Sequence, residues 1–293
     1  MCIRDRGDIG PSAARFVDFL GTSGLSLWQM LPVGPAGEGN CPYQSMSAFG
    51  GDPLLVSPDR LVVQGFLESF DIEHYISSND GKVNYPAAEE LKTRLLRRAF
   101  ENFENKPQGQ SQIDFNAFKH MESYWLDDFS LFLAIQTKEG TSNWTRWSQE
   151  LKTRQLDAII AVQKDLGAEI RYHEFVQWQF AVQWNELKVY CKSKGIRLIG
   201  DIPMFVAHQS ADAVSYTHLD VYKRQIFGYI TALLASFLID REVKDPRPEI
   251  AYQKSVQALQ EEIIQLRRLI EDTFQQESFP KIRSKNKTES ILP

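Results

Sequence analysis

Residues 25–49 read LSLWQMLPVGPAGEGNCPYQSMSAF, and the rest of the chain is organised around them. Leu25 to Val33 is apolar and free of charge, short enough for a buried strand and too short for an ordinary helix. Pro32 comes where that strand closes, and a loop opens at Gly34-Pro35. Gly34, Gly37 and Gly39 give the loop backbone freedom while Pro35 stiffens one point of it. It delivers Pro42-Tyr43-Gln44-Ser45, then Phe49-Gly50-Gly51-Asp52-Pro53. A buried strand feeding tyrosine, amide and hydroxyl groups into a loop suits a polyol better than a phosphate. The loop contains no lysine, and no helix signature of the phosphate-cradling kind follows it.

Outward from this stretch the chain alternates between helix and strand. Residues 7–24 read as a helix capped by Ser12, with Phe16, Val17, Phe19 and Leu20 on its apolar face. The step from that helix into the strand is the step of an α/β layer, and a unit that opens on its helix implies a beginning further upstream. From Pro53 to about Glu169 the pattern is helical and aromatic. Leu91–Phe103 and Phe115–Gln136 are strong helices, and Trp144 and Trp147 lead into a further one at Leu151–Leu166. So long a stretch reads as a helical insertion between strands. Ile170–Lys194 is a long amphipathic helix ended by Gly195. Ile196–Val206 has the pattern of a second buried strand, with Gly200-Asp201 inside it. An acid there is costly unless it is hydrogen-bonded or working.

A net charge of -5 in 293 residues excludes a general nucleic-acid or anionic-membrane binder. Three cysteines, Cys2, Cys41 and Cys191, show no metal-ligand spacing and fit a reducing, cytoplasmic compartment. Residues 1–6 lack the apolar core of a secretory signal. Asp127-Asp128, Glu89-Glu90 and Glu261-Glu262 look like carboxylate pairs, but helical neighbours point about 100° apart and cannot converge on one bond. Among the histidines His74, His120, His173 and His208, only His208 lies near the second strand. Taken alone, Tyr43 is either a rim aromatic or a substrate contact, and Asp201 either caps backbone groups or serves a site. Trp28 and Gln29 read as strand and rim packing.

Two segments carry a family resemblance: LWQMLPVGPAGEGNCPYQSMSAFGGDPLL and GIRLIGDIPMFVAHQSAD. With VNYPAAEELKTRLLRRAF, YWLDDFSLFLAI, NWTRWSQELKTR and FVQWQFAVQW between them, they resemble the 4-α-glucanotransferases (amylomaltases, or disproportionating enzymes) of the α-amylase clan, in order, over about Gly7 to Asp212. The resemblance implies an α/β fold, a (β/α)₈ TIM barrel with a helical insertion at about 53–169, incomplete here. It implies a cytoplasmic enzyme without a dissociable cofactor or metal. That enzyme transfers α-1,4-glucan segments among glucans, maltooligosaccharides and glucose by a retaining double displacement. It assigns Tyr43 to the donor sugar and Asp201 to sugar hydroxyls beside the reaction centre. Cys41 stands where serine is usual, and Glu38 where an aromatic often appears. Retaining chemistry requires a nucleophile and an acid/base flanking the bond. The family draws both from later strands that have no match here, so no catalytic residue is assigned. Another amylase-clan hydrolase is the neighbouring alternative.

The two ends read differently. Residues 1–6 and 214–225 (VSYTHLDVYKRQ) resemble adapter-derived sequence, leaving 7–213 as the partial enzyme barrel and 226–293 as an unrelated tail. Residues 226–239 carry no charge but fall short of the ~20 residues that span a bilayer. Membrane association is expected of that segment and not of 7–213. Val256, Leu259, Ile263, Leu266 and Ile270 form a short heptad helix, and 281–293 is polar. Residues 226–272 resemble the end of a bacterial potassium-channel inner helix, which makes a membrane channel fragment the alternative of another class.

Overall fold

Both apolar runs flanking the central helices become strands in the computed structural model, and both are shorter than the pattern predicts. The strands are β1 (Leu27–Gln29), β2 (Gln44–Ser45), β3 (Arg197–Ile199) and β4 (Phe205–Val206). They pair in parallel as β1 with β3 and β2 with β4. Trp28 sits opposite Leu198, and Gln44 opposite Phe205. The ladders continue past the strand ends, since Arg197 N–H donates to Ser26 C=O at 2.8 Å and Ala207 N–H to Ser45 C=O at 3.0 Å. Described are residues 7–73, 83–107, 109–201 and 205–215. The chain divides into two units, Met1–Thr231 and Ala232–Pro293, and every described residue belongs to the first. Residues 1–6, most of the 214–225 segment and the whole tail expected at 226–293 lie outside the described residues.

Nine helices are described: α1 (Pro11–Thr22), α2 (Pro58–Val63), α3 (Ser69–Ile72), α4 (Tyr85–Asn105), α5 (Gln110–Glu139), α6 (Gln149–Lys152), α7 (Leu156–Asp165), α8 (Gly167–Ser193) and α9 (Ala211–Ser215). The expected Ser12 cap does not form. Pro11 takes the first helical position, where its fixed φ suits the turn and its missing N–H costs nothing, so Gly10 is the cap residue. Ser12 lies inside the helix and accepts a hydrogen bond from Arg15. The helix expected at 151–166 is two, because the backbone turns at Arg154, whose φ is +50°. Gly195, at φ +72°, ends α8 in the left-handed turn read from the sequence.

The aromatics of α8 are core, as its pattern predicts. Phe66, Phe103, Phe115, Phe175 and Trp178 form a buried ring cluster with centroid separations from 5.0 to 6.2 Å. Each such side chain contributes about 1.5–3 kcal/mol by burial. Leu95, Leu96, Ala99 and Phe103 of α4 close this core from the face read in the sequence. A second cluster joins Phe129, Phe132 and Ile135 of α5 to Trp147, Leu151, Ala211 and Val214. The strands sit beside the first core. Trp28 is buried edge-on against Phe16 of α1, at 5.0 Å, while Leu27 and Ile199 on the opposite face are 48% and 43% exposed. No helix among the described residues is long and apolar enough to cross a membrane.

Candidate functional site

The loop after β1 is pinned by its own polar groups before it presents anything. Ser45 is buried, and its one hydroxyl proton lies between the carbonyls of Ser47 and Pro35, at 2.5 and 3.1 Å from its oxygen. Gly37 N–H bonds to Gln44 C=O at 2.6 Å and Met46 N–H to Pro35 C=O at 3.0 Å, which folds residues 35–46 back on themselves. Asp52 N–H then returns the chain to Val33 C=O at 3.0 Å, and the Asp52 carboxylate caps the turn at Pro53–Leu55 by accepting from Leu54 N–H.

From α8, two glutamines reach under this loop. Gln177 accepts from Gly51 N–H at 2.7 Å and donates to Gly51 C=O at 2.9 Å. Gln183 does the same for Ser57, at 2.7 and 3.3 Å. A primary amide copies the donor and acceptor of a strand neighbour, so buried loop backbone is satisfied without a strand. Gly51 is required there, since a Cβ would lie 2.0 Å from the Phe180 ring.

The segment after β4 holds the loop from the other side. Ala211 N–H donates to Met46 C=O at 3.1 Å, and the Asp212 carboxylate accepts from Ala48 N–H at 2.8 Å. With both sides fixed, Tyr43 and Asp201 meet. The Tyr43 hydroxyl donates to Asp201 Oδ2 at 2.8 Å, across 158 residues of sequence. Both are half-buried, and Asp201 sits just past the end of β3. The bond to Asp201 pushes the Tyr43 phenol above its ordinary pKa, helped by some desolvation and the nearby charges of Asp201 and Cys41.

The other candidates fall elsewhere. Trp28 is strand packing, and Gln29 is exposed on the open face of β1. His208 is exposed, with its ring 5.3 Å from that of Trp144 and its carbonyl accepting from the Trp144 indole at 2.7 Å. Glu89 and Glu90 are exposed, and Asp128 pairs with Arg154. His173 is largely buried beside Glu169, one helical turn before the Gln177 clamp on α8. Cys41 and Cys191 are free thiols. Among the described residues no group of three or more His, Cys, Asp or Glu could hold a metal ion. Ser45, Asp212, Gln177 and Gln183 all stand inside the quoted motif segments, but none reads there as an anchor of the loop, and the Ser45 hydroxyl expected to be presented is buried instead.

Residues 4–227 match the family model for 4-alpha-glucanotransferase, past both ends of the span read from motifs. The 4-alpha-glucanotransferase of Thermus thermophilus is 37% identical over 217 residues, 73% of this chain and 43% of that protein. That of Clostridium butyricum is 37% identical over 210 residues, 71% of this chain and 42% of its own length. The amylomaltase of Streptococcus agalactiae, solved in complex with acarbose, superposes with a TM-score of 0.68 at 32% identity, covering 72% of this chain and 43% of that one. The chain thus spans less than half the length of the relatives it matches. On sequence motifs, family match and superposition together, it belongs to the 4-alpha-glucanotransferase family.

Proposed function

We propose that this chain supplies one wall of the glucan site of a 4-α-glucanotransferase, an enzyme that moves α-1,4-glucan segments between glucans, maltooligosaccharides and glucose. The observation that carries the reading is the Tyr43–Asp201 hydrogen bond, which joins the two motif-bearing loops into one polar surface. A carboxylate accepts at both oxygens, and the phenol oxygen still accepts after donating. Such a pair orients sugar hydroxyls and carries out no bond cleavage itself. The family resemblance draws the nucleophile and the acid/base of the retaining mechanism from later strands that have no match here, so neither is sought in this wall. Parallel pairing of β1 with β3 and β2 with β4 is compatible with part of a (β/α)₈ barrel, in which sites gather at the carboxyl ends of the strands. The free thiols Cys41 and Cys191 support a reducing, cytoplasmic setting.

The test is a graft. Residues 7–213 replace the matching segment of the Thermus thermophilus enzyme, and the hybrid is incubated with maltotriose. Glucose together with longer glucans is the expected product set, while the chain of 293 residues alone is expected to give none. Tyr43→Phe and Asp201→Asn in the hybrid should each lower kcat/KM by about tenfold or more, the cost of one lost charge-assisted hydrogen bond. Glucose and maltose without longer products would assign the site to hydrolysis. A folded hybrid in which both substitutions leave transfer unchanged would remove the pair from the site.

A further inference from the structure

The segment after β4 holds the tyrosine loop, and it is itself held in the middle. Ala207 N–H donates to Ser45 C=O at 3.0 Å and Ala211 N–H to Met46 C=O at 3.1 Å, while the Asp212 carboxylate accepts from Ala48 N–H at 2.8 Å. Ser210 is fully buried and starts α9 by accepting from Ala213 N–H at 3.0 Å. β4 is only Phe205–Val206, so sheet pairing alone fixes little of this segment. His208 and Gln209 lie between the two backbone contacts with the loop, at Ala207 and Ala211, and both are gripped from another element.

That element is the turn between α5 and α6, and it is rigid in its own right. Gly140, at φ +66°, ends α5 in the left-handed region. The Asn143 side chain then accepts from Thr145 N–H at 3.2 Å, and Asn143 N–H donates to the Thr141 hydroxyl at 3.1 Å. Trp147 is buried, its ring 5.4 Å from Phe132, and its indole N–H donates to Thr141 C=O at 3.2 Å. The turn is thus closed on itself and fastened to the second core. From it, two side chains reach across. The Trp144 indole N–H donates to His208 C=O at 2.7 Å, and its ring lies 5.3 Å from the His208 ring. The Ser142 hydroxyl donates to Gln209 Oε1 at 3.0 Å. Trp144 is only partly buried, so its directed N–H, rather than its packing, is what distinguishes it from Trp147.

We propose that Trp144 and Ser142 are positioning residues of the Tyr43–Asp201 site, a latch that fixes the segment after β4 and, through it, the loop that carries Tyr43. The proposal rests on the glucan reading for what the site holds. The path is continuous. The turn grips His208 and Gln209, their neighbours Ala207 and Ala211 bind Ser45 and Met46, and Phe205 pairs with Gln44, the residue after Tyr43. Opening the latch lets the middle of the segment move, and the phenol then meets Asp201 for less of the time. Neither latch residue touches Tyr43 or Asp201, so each acts on the site through the segment alone.

The experiment follows Tyr43 while the latch is opened by Ser142→Ala with Trp144→Phe. In the 293-residue chain, the ionisation of Tyr43 is read near 295 nm as the difference from the same background carrying Tyr43→Phe. The phenol should ionise earlier in the latch variant than in the parent. In the hybrid with the Thermus thermophilus enzyme, the latch variant should lower kcat/KM on maltotriose by about threefold to tenfold, and adding it to Tyr43→Phe should lower kcat/KM little further. Ser142→Thr, which keeps the hydroxyl, should preserve both readouts. Urea midpoints verify the fold, and Trp144→Phe alone, which keeps a ring beside His208, serves in place of a double variant that unfolds. An unchanged Tyr43 titration in a folded latch variant, or a loss of kcat/KM that multiplies fully with that of Tyr43→Phe, would overturn the latch. The titration needs no glucan, so an inactive hybrid counts against the glucan reading alone and the titration still decides the latch.

Discussion

Tyr43 donates to Asp201 with its proton fixed in direction, and the consequence is visible in titration. Ionising the phenol would place two negative oxygens against each other, so its pKa is raised. In an absorbance titration near 295 nm, the difference between the parent chain and Tyr43→Phe isolates this group. It should ionise later than an ordinary tyrosine, and Asp201→Asn should bring it back down. Both residues were legible in the sequence because each stands in a motif. Their contact was not, since nothing local in either segment encodes a partner 158 residues away. Ser45 and Asp212 were missed for a related reason. A serine in a loop and an acid in a short polar run look solvated until the backbone groups they satisfy are seen.

At the scale of elements, α8 does more than bury aromatics. Its glutamines replace strand neighbours for the loop, so Gln177→Ala should cost about 1–3 kcal/mol in urea unfolding by leaving buried Gly51 groups unpaired. Gly51→Ala should cost about 1–3 kcal/mol or more, because its Cβ would press into Phe180 from a backbone that cannot retreat. The start of α8 also holds a charged knot. Glu169 pairs with Arg97 and lies 3.2 Å from His173, and His173 first, with Arg97, holds its carboxyl at about 2 against the desolvation that opposes them. Arg97 in turn lies over the Tyr172 ring at 3.7 Å. Burial pushes His173 the other way from an ion-pair histidine, below its ordinary value. Both shifts are depressions, so both stabilise the fold at neutral pH and are lost as pH falls. Urea midpoints should decline first below the ordinary histidine range and again as pH drops from about 4.5 toward 2. His173→Gln should flatten the first step and also weaken the second, because His173 is the first of the groups that hold the Glu169 carboxyl down. Helix existence was readable from 3.6-residue periodicity, whereas boundaries were set by Pro11 and Arg154, whose backbone angles override the apolar pattern.

For the whole molecule, the open face of β1 and β3 is the conspicuous feature. Parallel strands are ordinarily covered on both sides, yet Leu27 and Ile199 face outward here. Purified chain should associate with rising concentration in sedimentation velocity, and Leu27→Lys with Ile199→Lys should return it toward monomer. The alternation of helix and strand was plain in the sequence, but the pairing of β2 with β4 was not, since two residues each are too few to carry a period. The two glutamine clamps have one more implication. Gln177 to Gly51 and Gln183 to Ser57 are separated by the same 126 positions, so helix and loop advance in step like the two scales of a vernier. The number of residues between 51 and 57 is therefore fixed as firmly as any side chain among them. Removing or adding a single residue there would slide one scale against the other, and only one of the two marks could then be made to coincide.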